Sequence, residues 1–199
     1  FPVHVVERVE TYDHISRSRF VTRYAYHHGC FDGDEREFRG FGMVEQWDTE
    51  QFAAFADGDR SARNIDGASH VPPMHTKTWF HTGIDFDRQK VSRHIENAYY
   101  RVPGLTTESA RSFLLDDTIL PSGLTREEER QACRALKGSM LRQEVYADDA
   151  NHPGATPDQI ARALRPYSIT EQNFTIRQLQ PRGANLHAIF FTHAREAIS

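Results

Sequence analysis

The chain has 199 residues, 38% of them hydrophobic and 26% charged, which is enough apolar material for a core and too much for a disordered chain. Its 24 Lys and Arg face 28 Asp and Glu for a net charge of −4, so the clustered cations of a nucleic-acid binder are missing and no nucleic-acid partner is expected. No apolar run approaches the ~20 residues that span a bilayer, which argues against direct membrane insertion, and two cysteines, Cys30 and Cys133, exclude a disulfide scaffold and are expected to be buried free thiols.

In chain order, Val3, Val5 and Val9 alternate with His4, Arg8 and Glu10, which predicts a strand over about Val3–Tyr12. Residues 20–47 predict a β-hairpin across an Asp32-Gly33 turn signal. Phe20, Thr22, Tyr24, Tyr26 and His28 fall on one face of its first strand, and Val21, Arg23, Ala25 and His27 on the other. In the second strand Phe38, Gly40, Gly42 and Val44 take one side, and Arg39, Phe41, Met43 and Trp47 the other, so small residues sit beside rings. Residues 57–73 turn polar and small and read as an exposed loop, which divides the chain into 1–56, 57–73 and 74–199. A strand over His75–Thr82 and a bend at Asp85–Asp87 follow. Lys90–Arg101 is expected to be an amphipathic helix, with Val91, Ile95, Ala98 and Tyr99 at helical spacing. Thr125 and Glu128 form a capping box that starts a helix ended by Gly138, and Thr156, Pro157 and Gln159 repeat that logic before Pro166. Tyr167–Leu179 and Leu186–Thr192 flank Pro181-Arg182-Gly183 as a long closing hairpin. The fold class expected is mainly β with minor α: antiparallel hairpins with two or three short helices.

Few residues suggest chemistry. His27, His28 and Cys30 offer nitrogen and sulfur ligands, but neighbours on a strand point to opposite faces and no CxxC or HxxxH partner completes a zinc set. Asp32-Gly33-Asp34-Glu35 carries oxygens that suit calcium, yet the rest of an EF-hand loop is missing and a hairpin turn explains the same letters. There is no GxSxG elbow and no phosphate-binding glycine loop, and the acid pairs Asp116-Asp117 and Asp148-Asp149 would need a cleft to act. No metal, cofactor or catalytic residue is expected. Two alternatives stay open: a carbohydrate- or receptor-binding module stacking sugars on Trp47, Trp79, Tyr99 and Tyr100, and a metal-dependent enzyme using His27, His28 and Cys30.

The phrases RYAYHHGCFDGDEREFRGFGMVEQWD, KTWFHTG, LPSGLTREEERQACRALKGSMLRQEVYA, SITEQNFTIRQLQPRG and HAIFFTHARE, in that order, resemble the middle to C-terminal region of the B component of bacterial insecticidal toxin complexes, the Tc toxins with Rhs/YD-type repeats. The resemblance takes in most of the chain. It implies a secreted structural segment of a β-cocoon wall that encloses toxic cargo. The partners it implies are the remainder of the same toxin chain, the C component with its Rhs core and cargo, and the pore-forming A component. It also marks Arg23, Tyr24, Tyr26, Gly29, Asp32, Gly33, Phe38, Arg39, Gly40, Phe41 and Gly42 as a YD-like hairpin motif, and it transfers no catalytic residue. Phe1 is not an initiator Met and the last strand carries no cap, so the chain is expected to be a fragment that is sticky in isolation.

Overall fold

The computed structural model describes residues 2–15, 18–51, 74–85, 90–148, 150 and 154–199. The chain is mainly β with a few short helices. Strands β1 (Arg8–Asp13), β2 (Ser18–Asp32), β3 (Glu37–Gln51), β4 (Met74–Phe80), β5 (Met140–Ala147), β6 (Ser168–Gln180) and β7 (Ile189–Ile198) lie in one sheet in the order β1-β2-β3-β4-β5-β6-β7. Sheet order therefore equals chain order, so no connection crosses over a neighbouring strand. β1 pairs antiparallel with β2 from Arg8↔Arg23 to Asp13↔Ser18. β6 pairs antiparallel with β7 from Glu171↔Ile198 to Gln180↔Ile189, with register shifts at Asn173/Phe174 and Gln178/Gln180. The expected loop 57–73 and most of the Asp85–Asp87 bend lie outside the described residues.

Contacts group the chain into two compact units. One comprises Phe1–Tyr26, Val44–Lys77 and Val145–Tyr167; the other comprises His27–Met43, Thr78–Glu144 and Ser168–Ser199. In the first unit, β1 begins at Arg8, later than its valine alternation suggests. Val3, Val5, Val6 and Val9 all stay exposed. The described side chains of β1, Arg8–Tyr12, are all exposed, so its alternation marks no buried face. Toward the other end of this unit, helix α3 (Pro157–Ala163) carries the expected box, with Thr156 Oγ1 accepting from Gln159 N–H and Gln159 Oε1 accepting from Thr156 N–H.

The second unit holds the hydrophobic core of Val91, Leu124, Ala132, Cys133, Leu136, Leu141, Phe174 and Ile176. Three of these come from α2 (Arg126–Arg134) and the turn after it, which explains the narrow stripe Ala132, Cys133, Leu136 in an otherwise charged segment. Burial pushes the Cys133 thiol up to about 12, so it packs as a small apolar group. Gly138 ends this stretch at φ +82, a conformation that favours glycine.

Three elements differ from the sequence reading. Lys90–Arg101 is a 3-10 helix over Arg93–Ala98, and its tighter winding eclipses positions three apart, which sets Arg93 Nε 3.1 Å from the buried Glu96 carboxylate. A short helix, α1 (Thr107–Arg111), starts where Thr106 accepts from Ser109 N–H. The turn expected at Pro181–Gly183 widens into an eight-residue connection, and β7 starts at Ile189 because Leu186 points to solvent, 77% exposed.

Candidate functional site

The hairpin that the sequence singles out has its tip at residues 33–36. One oxygen of Asp32, Oδ1, accepts from Asp34 N–H at 3.0 Å and Glu35 N–H at 3.2 Å. This Asx turn bends the chain through the side chain, so the left-handed residue is Arg36, at φ +53, and not Gly33. The expected two-residue Asp-Gly turn is thus a four-residue one. The other oxygen, Oδ2, takes a 2.9 Å hydrogen bond from Arg39 Nη2, which is the main reason the Asp32 carboxyl lies below the usual carboxylate range. Arg39 is 3% exposed and lies within 3.5 Å of Glu35 and 2.7 Å of Glu37. A buried guanidinium thus ties both arms of the hairpin to its tip.

Helix α2 and the turn after it supply the opposing charges. Arg130 approaches Asp34 at 3.1 Å and Asp32 at 3.7 Å; Arg134 bonds Glu35 and approaches Glu37 at 3.5 Å; Lys137 bonds Glu37 at 2.8 Å. The Lys137 bond is the leading cause of the lowered Glu37 pKa. Acidic letters that suggested calcium are therefore answered by arginine and lysine. Between tip and helix lies a cleft of about 490 Å³, whose lining includes Phe31, Asp34, Arg39, Asp85, Arg126 and Arg130. Its acids and bases are already paired, as Asp85 is with Arg126 at 2.5 Å.

The same helix fastens a second segment. The capping box forms as expected: Thr125 Oγ1 accepts from Glu128 N–H, and Glu128 Oε2 accepts from Thr125 N–H at 3.0 Å. The other oxygen, Oε1, accepts from Arg182 N–H and Gln178 Nε2, each at 2.9 Å, and Gln131 Oε1 accepts from Ala188 N–H at 2.7 Å. These donors, Arg182 N–H first and Thr125 next, hold the Glu128 carboxyl down at about 2. One helix thus anchors both the 32–39 tip and the 181–188 connection. Thr125→Ala should cost about 1 kcal/mol of stability by unfolding midpoint. Because the folded state depresses the Glu128 pKa, its support is present above the usual 4.5 and is lost as pH falls toward 2. The midpoint of Glu128→Gln should therefore vary less with pH over that window than that of the parent chain.

The other motif residues divide between the units. Arg23 is exposed, Tyr24 and Tyr26 are ring neighbours at 6.4 Å, and Tyr26 Oη donates to Val6 O at 2.9 Å. In the other unit Gly29 and Gly42 make room for side chains: a Cβ at Gly29 would meet the Phe41 ring at 3.2 Å, and one at Gly42 would meet His28 Cβ at 3.2 Å. Phe38 and Phe41, assigned to opposite faces by alternation, touch edge to face at 5.1 Å. Gly40 lies between them at φ +101, outside the extended region, and breaks the period of two. His28, at φ +56, does the same on the first arm. His27 and His28 rings are 6.4 Å apart, the Cys30 thiol is raised chiefly by burial, and no group of three or more metal-ligating side chains forms among the described residues. Trp79 and Tyr99 are buried, and Trp47 is stacked on His75 at 4.6 Å, so these rings do not make an open sugar platform.

One cluster escaped the sequence reading. Arg142 and Glu144 on β5 and Glu171 on β6 are buried together: Arg142 donates from Nε to Glu144 Oε1 at 2.7 Å and from Nη1 to Glu171 Oε2 at 2.5 Å. Glu144 Oε1 also accepts from Tyr100 N–H, and Glu171 Oε1 from Leu115 N–H, so the two carboxylates hold two loops to the sheet. Opposite charges two apart in MLRQEVYA were the available signal, because such residues share a strand face.

Residues 1–83 match the family model for the insecticide toxin TcdB middle/N-terminal region, and residues 131–199 match that for its middle/C-terminal region. The chain belongs to the middle region of the TcdB insecticide toxins. Solved structures carry the same fold: crystal structures of TcdB2-TccC3-Cdc42 (27% identity, TM-score 0.71) and of TcdB2-TccC3 without its hypervariable C-terminal region (28%, 0.69), and the Photorhabdus luminescens Tc holotoxin pore with the mutation TccC3-D651A (27%, 0.67). Each match covers 99% of this chain and 8% of the solved one, so the chain spans a small part of the length of those proteins. No curated protein matches it. The stretch 84–130 of this TcdB-type chain falls between the two family matches and carries the 3-10 helix, α1 and the start of α2.

Proposed function

We propose that this chain is a structural stretch of the β-shell of a secreted Tc toxin B component, a wall that keeps toxic cargo enclosed, with no reaction of its own. The observation that carries the reading is the sheet in which strand order follows chain order, matched over nearly its whole length in TcdB2-TccC3 structures. A wall grows most simply by laying each strand beside the one before it, because backbone groups left open at one edge are satisfied by the next strand. Tip-to-helix ion pairs and the Glu128 anchor fit that role: they stiffen the ends of strands and build no cleft with free reactive groups. The partners follow from the same likeness: the rest of the B chain, a TccC-type C component with its cargo, and the A-component pore of the holotoxin.

The reading is tested in the intact B component made together with its C component. With the hairpin tip 32–37 replaced by a Gly-Ser loop and Arg39→Ala added, cargo held in the wild-type complex should become accessible to added protease. Equal protection in both complexes would remove this hairpin from any enclosing role.

A further inference from the structure

His81, just past the end of β4, is 1% exposed, and both of its ring nitrogens are committed to backbone groups. Gly83 N–H donates to Nδ1 at 2.9 Å, so the ring proton sits on Nε2, which donates to the Val91 carbonyl at 2.8 Å. Only the neutral ring in that one tautomer satisfies both. A second buried-side imidazole, His94 of the 3-10 helix, meets it edge on at 5.6 Å and donates from Nδ1 toward the same Val91 carbonyl at 3.2 Å. The strand end is fixed as well, since His81 N–H donates to Ser139 O and His81 O accepts from Gly138 N–H.

The surroundings leave little room to adjust. Gly83 has φ +79, and a Cβ there would meet Lys137 Cβ at 3.0 Å and Arg134 Cα at 3.3 Å. The charged groups around this corner are engaged elsewhere. Asp117 accepts from Val91 N–H and Ser92 N–H, both at 2.7 Å; Asp85 pairs with Arg126; Arg134 and Lys137 hold Glu35 and Glu37. No carboxylate among the described residues pairs with His81. A proton on Nδ1 would point one donor at another, the Gly83 N–H, and place a charge beside His94.

We propose that His81 is an acid-responsive latch that holds the start of the 90–98 segment to the end of β4 while its ring is neutral, and releases Val91–Ala98 when the ring takes up a proton. The sign follows from where the proton binds. Burial is the main cause that lowers the ring from 6.5 to about 4 in the closed state, whereas an opened ring titrates near 6.5. Opening is therefore coupled to proton uptake, begins to be favoured below about pH 6.5 and levels off near pH 4.

The test uses the intact polypeptide that carries this chain, with amide hydrogen exchange read at pH 7.5 and pH 5.0 and corrected for the intrinsic pH effect. The opening equilibrium reported by Gly83 and Val91–Ala98 amides should rise roughly ten- to thirtyfold at pH 5.0, while β6–β7 amides change little. His94→Gln should keep most of that rise and His81→Gln should remove most of it, leaving the smaller part that His94, also held down by burial, contributes. A wild-type 90–98 segment equally protected at both pH values overturns the latch, as does a rise in His81→Gln equal to that of wild type. If His81→Gln does not fold, the wild-type and His94→Gln profiles decide alone: a flat pair rejects the latch, and a rise confined to this segment in both upholds it.

Discussion

Arg142→Met is expected to remove about 3–5 kcal/mol of stability, the usual result when one partner of a buried ion pair is deleted and the others stay charged. Arg142 is the cation between Glu144 and Glu171, whose side chains are 1% and 9% exposed. Methionine would fill much of the volume and leave two buried carboxylates without the cation they share, although the Tyr100 and Leu115 amides still donate to them. The loss should show as a lower unfolding midpoint and as faster exchange at Tyr100 and Leu115, whose N–H groups those carboxylates hold. The triple variant Arg142→Met, Glu144→Gln, Glu171→Gln should regain much of the loss, since no net charge is then buried. A triple variant no more stable than Arg142→Met would show that packing by the guanidinium, and not charge balance, sets the cost.

Trp79→Ala should cost about 3–5 kcal/mol, the range for emptying a buried aromatic site, while Trp79→Phe should cost much less. Trp79 is fully buried and packs edge to face on Tyr99 at 5.1 Å, and the Arg142 guanidinium lies 4.8 Å from the centre of the Tyr99 ring. The indole N–H finds no acceptor among the described residues, so phenylalanine gives up area but removes an unsatisfied donor. Because Trp79 and Arg142 both bear on Tyr99, their losses should not add. Urea unfolding of the two single variants and the double variant measures the coupling. A Trp79→Ala chain as stable as its parent would restore the idea that this ring serves a ligand.

Both predictions concern groups that the sequence left ambiguous, and the reason is physical. Hairpin 20–47, the capped helix after Thr125 and the capped helix after Thr156 are written in local chemistry: alternation, turn letters, and a hydroxyl three residues ahead of a Glu or Gln. Such signals need only neighbours in the chain, so they are legible without knowing the fold. The likeness to the Tc toxin B component was legible for another reason, long uncommon phrases such as EREFRGFG and RALKGSMLRQEVY.

What alternation could not foresee are its interruptions. Gly40 and His28 leave the extended region, and the Phe38–Phe41 contact exists only because of such a break. Asp32 illustrates a subtler limit. The letters Asp-Gly announce a turn, but its type depends on whether the carboxylate reaches Asp34 and Glu35 amides while Arg39 holds its other oxygen. The Arg130, Arg134 and Lys137 pairings with that tip join residues about a hundred positions apart, as in Arg134 with Glu35 and Lys137 with Glu37.

By itself, then, the sequence determined a β-rich chain of the toxin family, its hairpin and its helix starts, because these depend on periodicity and on side chains within a few residues of the backbone they cap. Only the tertiary structure decided which charges are buried and which imidazole is held neutral. Arg142 with Glu144 and Glu171, Arg39 beside Asp32, and His81 between Gly83 and Val91 are buried from water, and that exclusion turns ordinary polar letters into structural ones.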